Sequence, residues 1–170
     1  MSISVPYTAL PMERDLYDSF NLTIINGCAQ TQTVGIYQVT SDFTINMISH
    51  PIVLSPGAVG LIQAPFYQTG LRLSAKRNQW VAQTLFEFGY STWSNLSGTA
   101  YDLSVMPGSE LGISVKPSNP NCPSKTCLLD NCPLDQGWTN PDQVNLGSPA
   151  NSVCYHGITN FEVTFCPSVG

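Results

Sequence analysis

Residues 160–167 read Asn160-Phe161-Glu162-Val163-Thr164-Phe165-Cys166-Pro167. Phe161, Val163 and Phe165 fall on one side of an extended chain and Glu162 and Thr164 on the other, the period-two pattern of a strand with one buried face. The run ends at Cys166-Pro167. Working back toward the N-terminus, the same texture recurs. Residues 20–26 form a β-branched strand ended by Asn26-Gly27, and residues 33–39 alternate and are expected to return beside it as a hairpin. Residues 43–48 and 59–64 are expected strands around the turn Ser55-Pro56-Gly57. Residues 70–75, 84–90, 101–105 and 111–116 complete the set. No internal repeat and no helix of convincing length interrupts them. An array of short strands of this kind predicts an all-β sandwich or barrel.

Composition agrees with that class and removes others. The 170 residues suit one domain with a real core, here residues 20–170, preceded by an N-terminal arm, 1–19, that has no clear period. With 6 Lys+Arg and a formal net charge of -5, the chain has no basic stripe to displace phosphate counterions, which excludes nucleic acid as a partner. Lys76-Arg77 reads as a solvated turn. No apolar run reaches the ~18 residues of a membrane span. Residues 1–6 lack a charged region followed by an apolar one, so no leader is visible. The six cysteines nevertheless point to an oxidising compartment, and the chain is read as a secreted form whose leader has been removed.

From Pro117 to Asn151 the apolar period disappears and Pro, Asn, Ser, Asp and Cys dominate. A loop region of that length cannot hold itself by hydrophobic burial and needs covalent ties. Cys122, Cys127, Cys132 and Cys154 fall in or beside it, within a loop-rich region spanning about 117–154. A zinc site using these cysteines with His156 would lack the C-x-x-C pairs of a tetrahedral structural site, so neither a metal nor any other cofactor is expected. Six cysteines alone allow fifteen pairings.

Four segments resemble the thaumatin-like proteins, the family of thaumatin and the osmotins. These are Asn26-Gly27-Cys28 after a strand, Thr84-Leu85-Phe86-Glu87-Phe88, Tyr101-Asp102-Leu103-Ser104-Val105 followed by Gly108, and Phe161-Glu162-Val163-Thr164-Phe165-Cys166-Pro167. The resemblance implies a flattened antiparallel β-sandwich with a disulfide-tied loop region on one side. It also implies the pairs Cys28–Cys166, Cys122–Cys154 and Cys127–Cys132. The short cysteine set sets the chain apart from plant members and points to a fungal or otherwise divergent one.

The same resemblance implies an acidic cleft for β-1,3-glucan. Matched by motif, its Glu is Glu87 and its first Asp is Asp102. The next Asp position is Pro107, and the Arg that closes a Gly-x-Ile-x-Ala-Arg strand is Pro65, with Arg72 expected to approach from the following loop. Asp130, Asp135 or Asp142 could supply the last carboxylate. Glu87 and Asp102 are therefore the candidate catalytic pair, since glycosidic cleavage needs one protonated and one ionised carboxyl. Their alternative role is to hold neighbouring strands together by hydrogen bonds. Glu110 reads as a solvated turn residue. His50 and His156 have no partner in any nucleophile motif.

Aromatic rings suggest a second role, stacking on sugars without cleavage. Trp93, Trp138 and Tyr101, with Arg72, are the candidate carbohydrate-binding residues, while Trp80 and Tyr90 lie near the same strands and Tyr90 and Tyr101 could equally be core. Asn21-Leu22-Thr23 and Asn95-Leu96-Ser97 fit the N-glycosylation sequon, Asn95 in a loop and Asn21 at the opening of a strand. Three functional classes follow for a secreted monomer. The first binds cell-wall polysaccharide of the β-glucan class in defence, antifungal action or wall remodelling. The second is a weak endo-β-1,3-glucanase. The third is an effector or inhibitor that meets a protein target through the region 117–151.

Overall fold

The computed structural model describes residues 19–75, 83–93, 96–155 and 159–168, without the side chain of residue 93. The expected arm therefore lies outside the described residues except for Ser19, as do Lys76, Arg77, Trp80, Asn95, His156 and the Trp93 ring. Among the described residues twelve strands occur in the order β1 (Ser19–Asn26), β2 (Gln32–Val39), β3 (Ile45–Met47), β4 (Ile52–Leu54), β5 (Val59–Pro65), β6 (Leu71–Ser74), β7 (Leu85–Trp93), β8 (Leu96–Ser104), β9 (Ile113–Pro117), β10 (Lys125–Cys127), β11 (Ser152–Cys154) and β12 (Phe161–Phe165). They form an all-β sandwich. One sheet runs β10-β9-β12-β1-β5, and the larger runs β11-β8-β7-β6-β2-β3 with β4 also on β2. Pairing is antiparallel except between β1 and β12, which lie parallel at the centre of the smaller sheet.

Alternation decides which side chains meet. Phe20, Leu22 and Ile24 of β1 and Phe161, Val163 and Phe165 of β12 point into the core against Leu71 and Leu73 of β6, Phe86 and Phe88 of β7, and Leu103 of β8. Phe86 and Phe161 meet at a ring separation of 5.0 Å, and Phe20 and Phe88 at 5.1 Å. Such edge and tilted contacts add to the burial that holds the two layers together.

The expected β1–β2 hairpin does not form. Both edges of β1 are taken by β5 and β12, and β2 pairs instead with β3, β4 and β6 in the other sheet. Asn26 turns the chain across the sandwich. Its Nδ2 donates to the carbonyls of Gln30 and Leu54 at 2.9 and 2.8 Å, and its Oδ1 accepts from Cys28 N at 3.0 Å. Gly27 passes so close to the Phe165 and Cys166 carbonyls that a Cβ there would lie 2.8 and 2.6 Å from them. Disulfides join Cys28–Cys166, Cys122–Cys154 and Cys127–Cys132, and they use all six cysteines.

The region 117–154 is less loop-like than its composition implies. It contains β10, β11 and a 3-10 helix, Pro141–Leu146, capped by Asn140 and closed by Gly147 at φ 80. Covalent ties are only part of its order. Gln143 is 1% exposed, and its Oε1 accepts from Thr139 N, Thr139 Oγ1 and Asn140 N while its Nε2 donates to the Leu134 and Gly137 carbonyls. One buried amide thus satisfies backbone groups that no secondary structure pairs.

Candidate functional site

Arg72, Glu87 and Asp102 lie in one row across β6, β7 and β8, because Arg72 pairs with Glu87 and Glu87 with Asp102. Their neighbours in sequence, Leu71, Leu73, Phe86, Phe88, Tyr101 and Leu103, point the other way into the core. The row therefore sits on the outer face of the larger sheet. Arg72 Nε meets Glu87 Oε1 at 2.7 Å. Arg72 reaches Glu87 from within β6, one of the expected strands, rather than from a loop. Pro65, matched by motif to an arginine, ends β5 in the other sheet opposite Ser19. The cross-strand pairing of β6 with β7 supplies the cation beside Glu87 instead.

Asp102 is held in an unusual state. Burial, the neighbouring Glu87 charge and a hydrogen bond to Glu87 push its carboxyl up to about 8, against smaller opposing pulls from Lys125 and Arg72. Its Oδ1 is buried and has no hydrogen-bond partner among the described residues. Lys125 is itself buried, and its Nζ donates to the Asp135 carbonyl at 2.7 Å. Burial lowers the Lys125 ammonium against the pull of Asp135 and Asp102. Burial and the adjacent Glu87 charge thus favour the protonated form of Asp102, while Glu87 is ion-paired to Arg72.

Beside this row runs a trench of about 470 Å³. Gly89 and Ala100 line it, opposite each other on β7 and β8. Thr69 and Gly70 wall one side, where the chain crosses close over Gly89. Asn151, Ser152 and Val153 wall the other, with β11 paired to β8. Glu87 and Asp102 stand at the head of the trench and Ser91 toward its foot, four residues or about 13 Å along β7.

Of the expected aromatic platform, Trp80 and the Trp93 ring lie outside the described residues, and Tyr101 and Trp138 are both engaged within the fold. Tyr101 is 2% exposed, packs on Phe161 at 5.3 Å and gives its hydroxyl hydrogen to the Pro123 carbonyl at 2.7 Å. Alternation places it on the core side of β8, so only its edge reaches the trench. Trp138 is half-buried, and its Nε1 donates to Asn151 Oδ1 at 2.7 Å, bracing the wall rather than standing clear of it. Glu110 is partly buried and accepts from Thr84 Oγ1 at 3.4 Å rather than standing free in solvent. Two features of the trench carried no sequence signal, the Gly89–Ala100 pair and the Asn151 wall. Both depend on which strands become neighbours.

No known family's sequence pattern matches the chain, and no curated protein matches it. Solved structures do. The protein elicitor MoHrip2 from Magnaporthe oryzae is 20% identical, with a TM-score of 0.59, over 87% of this chain and 99% of its own. The thaumatin-like xylanase inhibitor TLXI is 15% identical, with a TM-score of 0.55, over 86% of this chain and 99% of its own. The fold is thaumatin-like. On this thaumatin-like scaffold Glu87 and Asp102 come together with Arg72. Pro107 lies exposed in the segment after β8, and Asp130 and Asp142 are exposed in the loop region. Among the described residues no cluster of three or more His, Cys, Asp or Glu side chains could hold a metal ion, and no helix is long and apolar enough to cross a membrane.

Proposed function

We propose that the protein is a secreted, non-hydrolytic polysaccharide-binding protein that takes a neutral glucan chain along the β7–β8 trench. The observation that carries this reading is the row itself, with Arg72, Glu87 and Asp102 directly opposite one another on β6, β7 and β8 at the head of the trench. Retaining glycosidases hold their pair about 5–5.5 Å apart, and inverting ones farther, so that the scissile bond fits between them. Glu87 and Asp102 are instead immediate cross-strand neighbours, a pair whose Cβ atoms lie about 4.5–5.5 Å apart, and Glu87 is already engaged by Arg72 on its far side. That arrangement offers sugar hydroxyls a compact acceptor and donor set in which Glu87 is committed to an ion pair. Three disulfides fit the oxidising, extracellular setting in which a wall polysaccharide is met.

Retention on insoluble β-1,3-glucan, paired with a reducing-sugar assay on its soluble form, tests this reading. Wild-type protein should be retained without releasing sugar. Glu87→Gln, which weakens the Arg72 pair, and Ala100→Leu, which adds bulk to the lining, should each lower retention at least about fivefold, the worth of about one hydrogen bond. Sugar release abolished by both Glu87→Gln and Asp102→Asn would establish the hydrolytic reading instead.

A second reading has its own support. The two structural neighbours are named as an elicitor and a xylanase inhibitor, and Leu129, Leu134, Val144 and Leu146 stand exposed in the loop region. Failure to bind any wall polysaccharide would favour an effector or inhibitor acting through protein contact.

A further inference from the structure

The outer face of the smaller sheet lies on the opposite side of the sandwich from the trench. It carries the sequon Asn21-Leu22-Thr23 in the middle of β1. A strand is an unpromising place for a glycan only if the asparagine faces the core. Here Phe20 and Leu22 face the core and Asn21 is exposed, with Thr23 beside it on the same face. Asn21 Oδ1 accepts from Gln63 Nε2 at 2.7 Å, which fixes the amide plane, while its Nδ2 makes one long contact of 3.4 Å with Asn160 Oδ1. The oxygen of the amide is engaged and the nitrogen is nearly free.

A groove of about 340 Å³ opens directly from Asn21 and is bounded by Lys116, Ser118, Asn160 and Glu162. Its rim is rich in donors and acceptors, and the Lys116 and Glu162 pair lies side by side on β9 and β12. On the other flank Leu61 and Val59 of the edge strand β5 are 73% and 60% exposed, and their partners on β1 among the described residues, Thr23 and Ile25, are uncharged. An edge strand of that kind is ordinarily protected by charge or by a cover.

We infer that Asn21 carries an N-linked glycan whose first sugars occupy this groove. In the transfer, Asn21 Nδ2 loses one hydrogen as a proton and forms a bond to C1 of N-acetylglucosamine. The C1–O bond to a polyprenyl-diphosphate donor breaks, and the diphosphate leaves with the bonding pair. Oδ1 is untouched, so the Gln63 hydrogen bond survives. Transfer precedes folding in the secretory route, and the outward register lets the modified strand enter the sheet. The proximal sugars then find amide, hydroxyl and charged partners in the groove, and outer sugars shield Leu61.

The test is secretion of the full chain from a yeast host, with intact mass and glycopeptide mapping to separate Asn21 from the second sequon at Asn95. The Asn21 peptide should carry the glycan, and both Asn21→Gln and the shape-preserving Thr23→Val should lose it. Peptide-N-glycosidase should release it at least about tenfold more slowly from native than from denatured protein, since release requires the seated sugars to open locally. Lys116→Ala combined with Asn160→Ala should close most of that difference. An unmodified Asn21 peptide in the secreted wild-type protein overturns the site, and equal release rates overturn the seat. Neither outcome bears on glucan retention by the trench.

Discussion

Asp102 couples the trench to pH through its own burial. Its folded-state value of about 8 lies above the ordinary 3.8, so between these limits the folded chain holds a proton that the unfolded chain has released. Stability therefore falls as pH rises from about 4 to about 8, the reverse of the usual behaviour of an ion-paired carboxylate. Asp102→Asn keeps the shape and removes the titration. Urea midpoints at pH 5 and pH 8 should differ for wild type, with a loss at pH 8 on the order of 3–4 kcal/mol by that linkage, and should nearly coincide for the variant. An equal pH dependence in both proteins would remove the raised Asp102 from the account. The sequence could name Glu87 and Asp102, because strand motifs carried them, but not their pairing across β7 and β8. A one-residue choice of face likewise made Tyr101 a core residue, and burial of that kind is read from alternation against neighbours that only the sheet order supplies.

At the level of elements, the strands were legible and their partners were not. β1, β7 and β12 announce themselves by period-two runs of apolar and polar residues. Whether β2 returns beside β1 depends on Asn26 and on β12, 135 residues downstream in sequence between Asn26 and Phe161, so adjacency in the chain was a poor guide. The loop region failed differently. Hydrophobic period is the signal that sequence reading uses, and this region is organised by a buried polar residue with none. Gln143→Leu would leave three donors and two acceptors without their partner. The expected cost is about 2–4 kcal/mol, measured by urea unfolding. A loss below about 0.5 kcal/mol, within the range of a neutral surface change, would show that the disulfides suffice to order the region.

For the whole molecule, the disulfides differ in what they constrain. Cys28–Cys166 spans 138 residues and Cys127–Cys132 spans 5. In the chain-entropy account the first removes about 5 kcal/mol of unfolded-state freedom and the second about 2. Cys28→Ser with Cys166→Ser should therefore lower unfolding free energy by about 3 kcal/mol more than Cys127→Ser with Cys132→Ser. Equal losses would place the stabilisation in local packing rather than in chain closure.

The parallel β1–β12 pair has one more consequence. Because the first and last described strands lie side by side and are joined by Cys28–Cys166, a protease that cuts any surface loop between them releases no fragment. The two pieces stay connected through the disulfide and through the centre of the smaller sheet. A nicked chain of this design keeps its trench strands β6, β7 and β8 in place when the cut falls elsewhere. Tolerance of a single backbone cut thus comes from where the ends meet rather than from how well each loop is hidden.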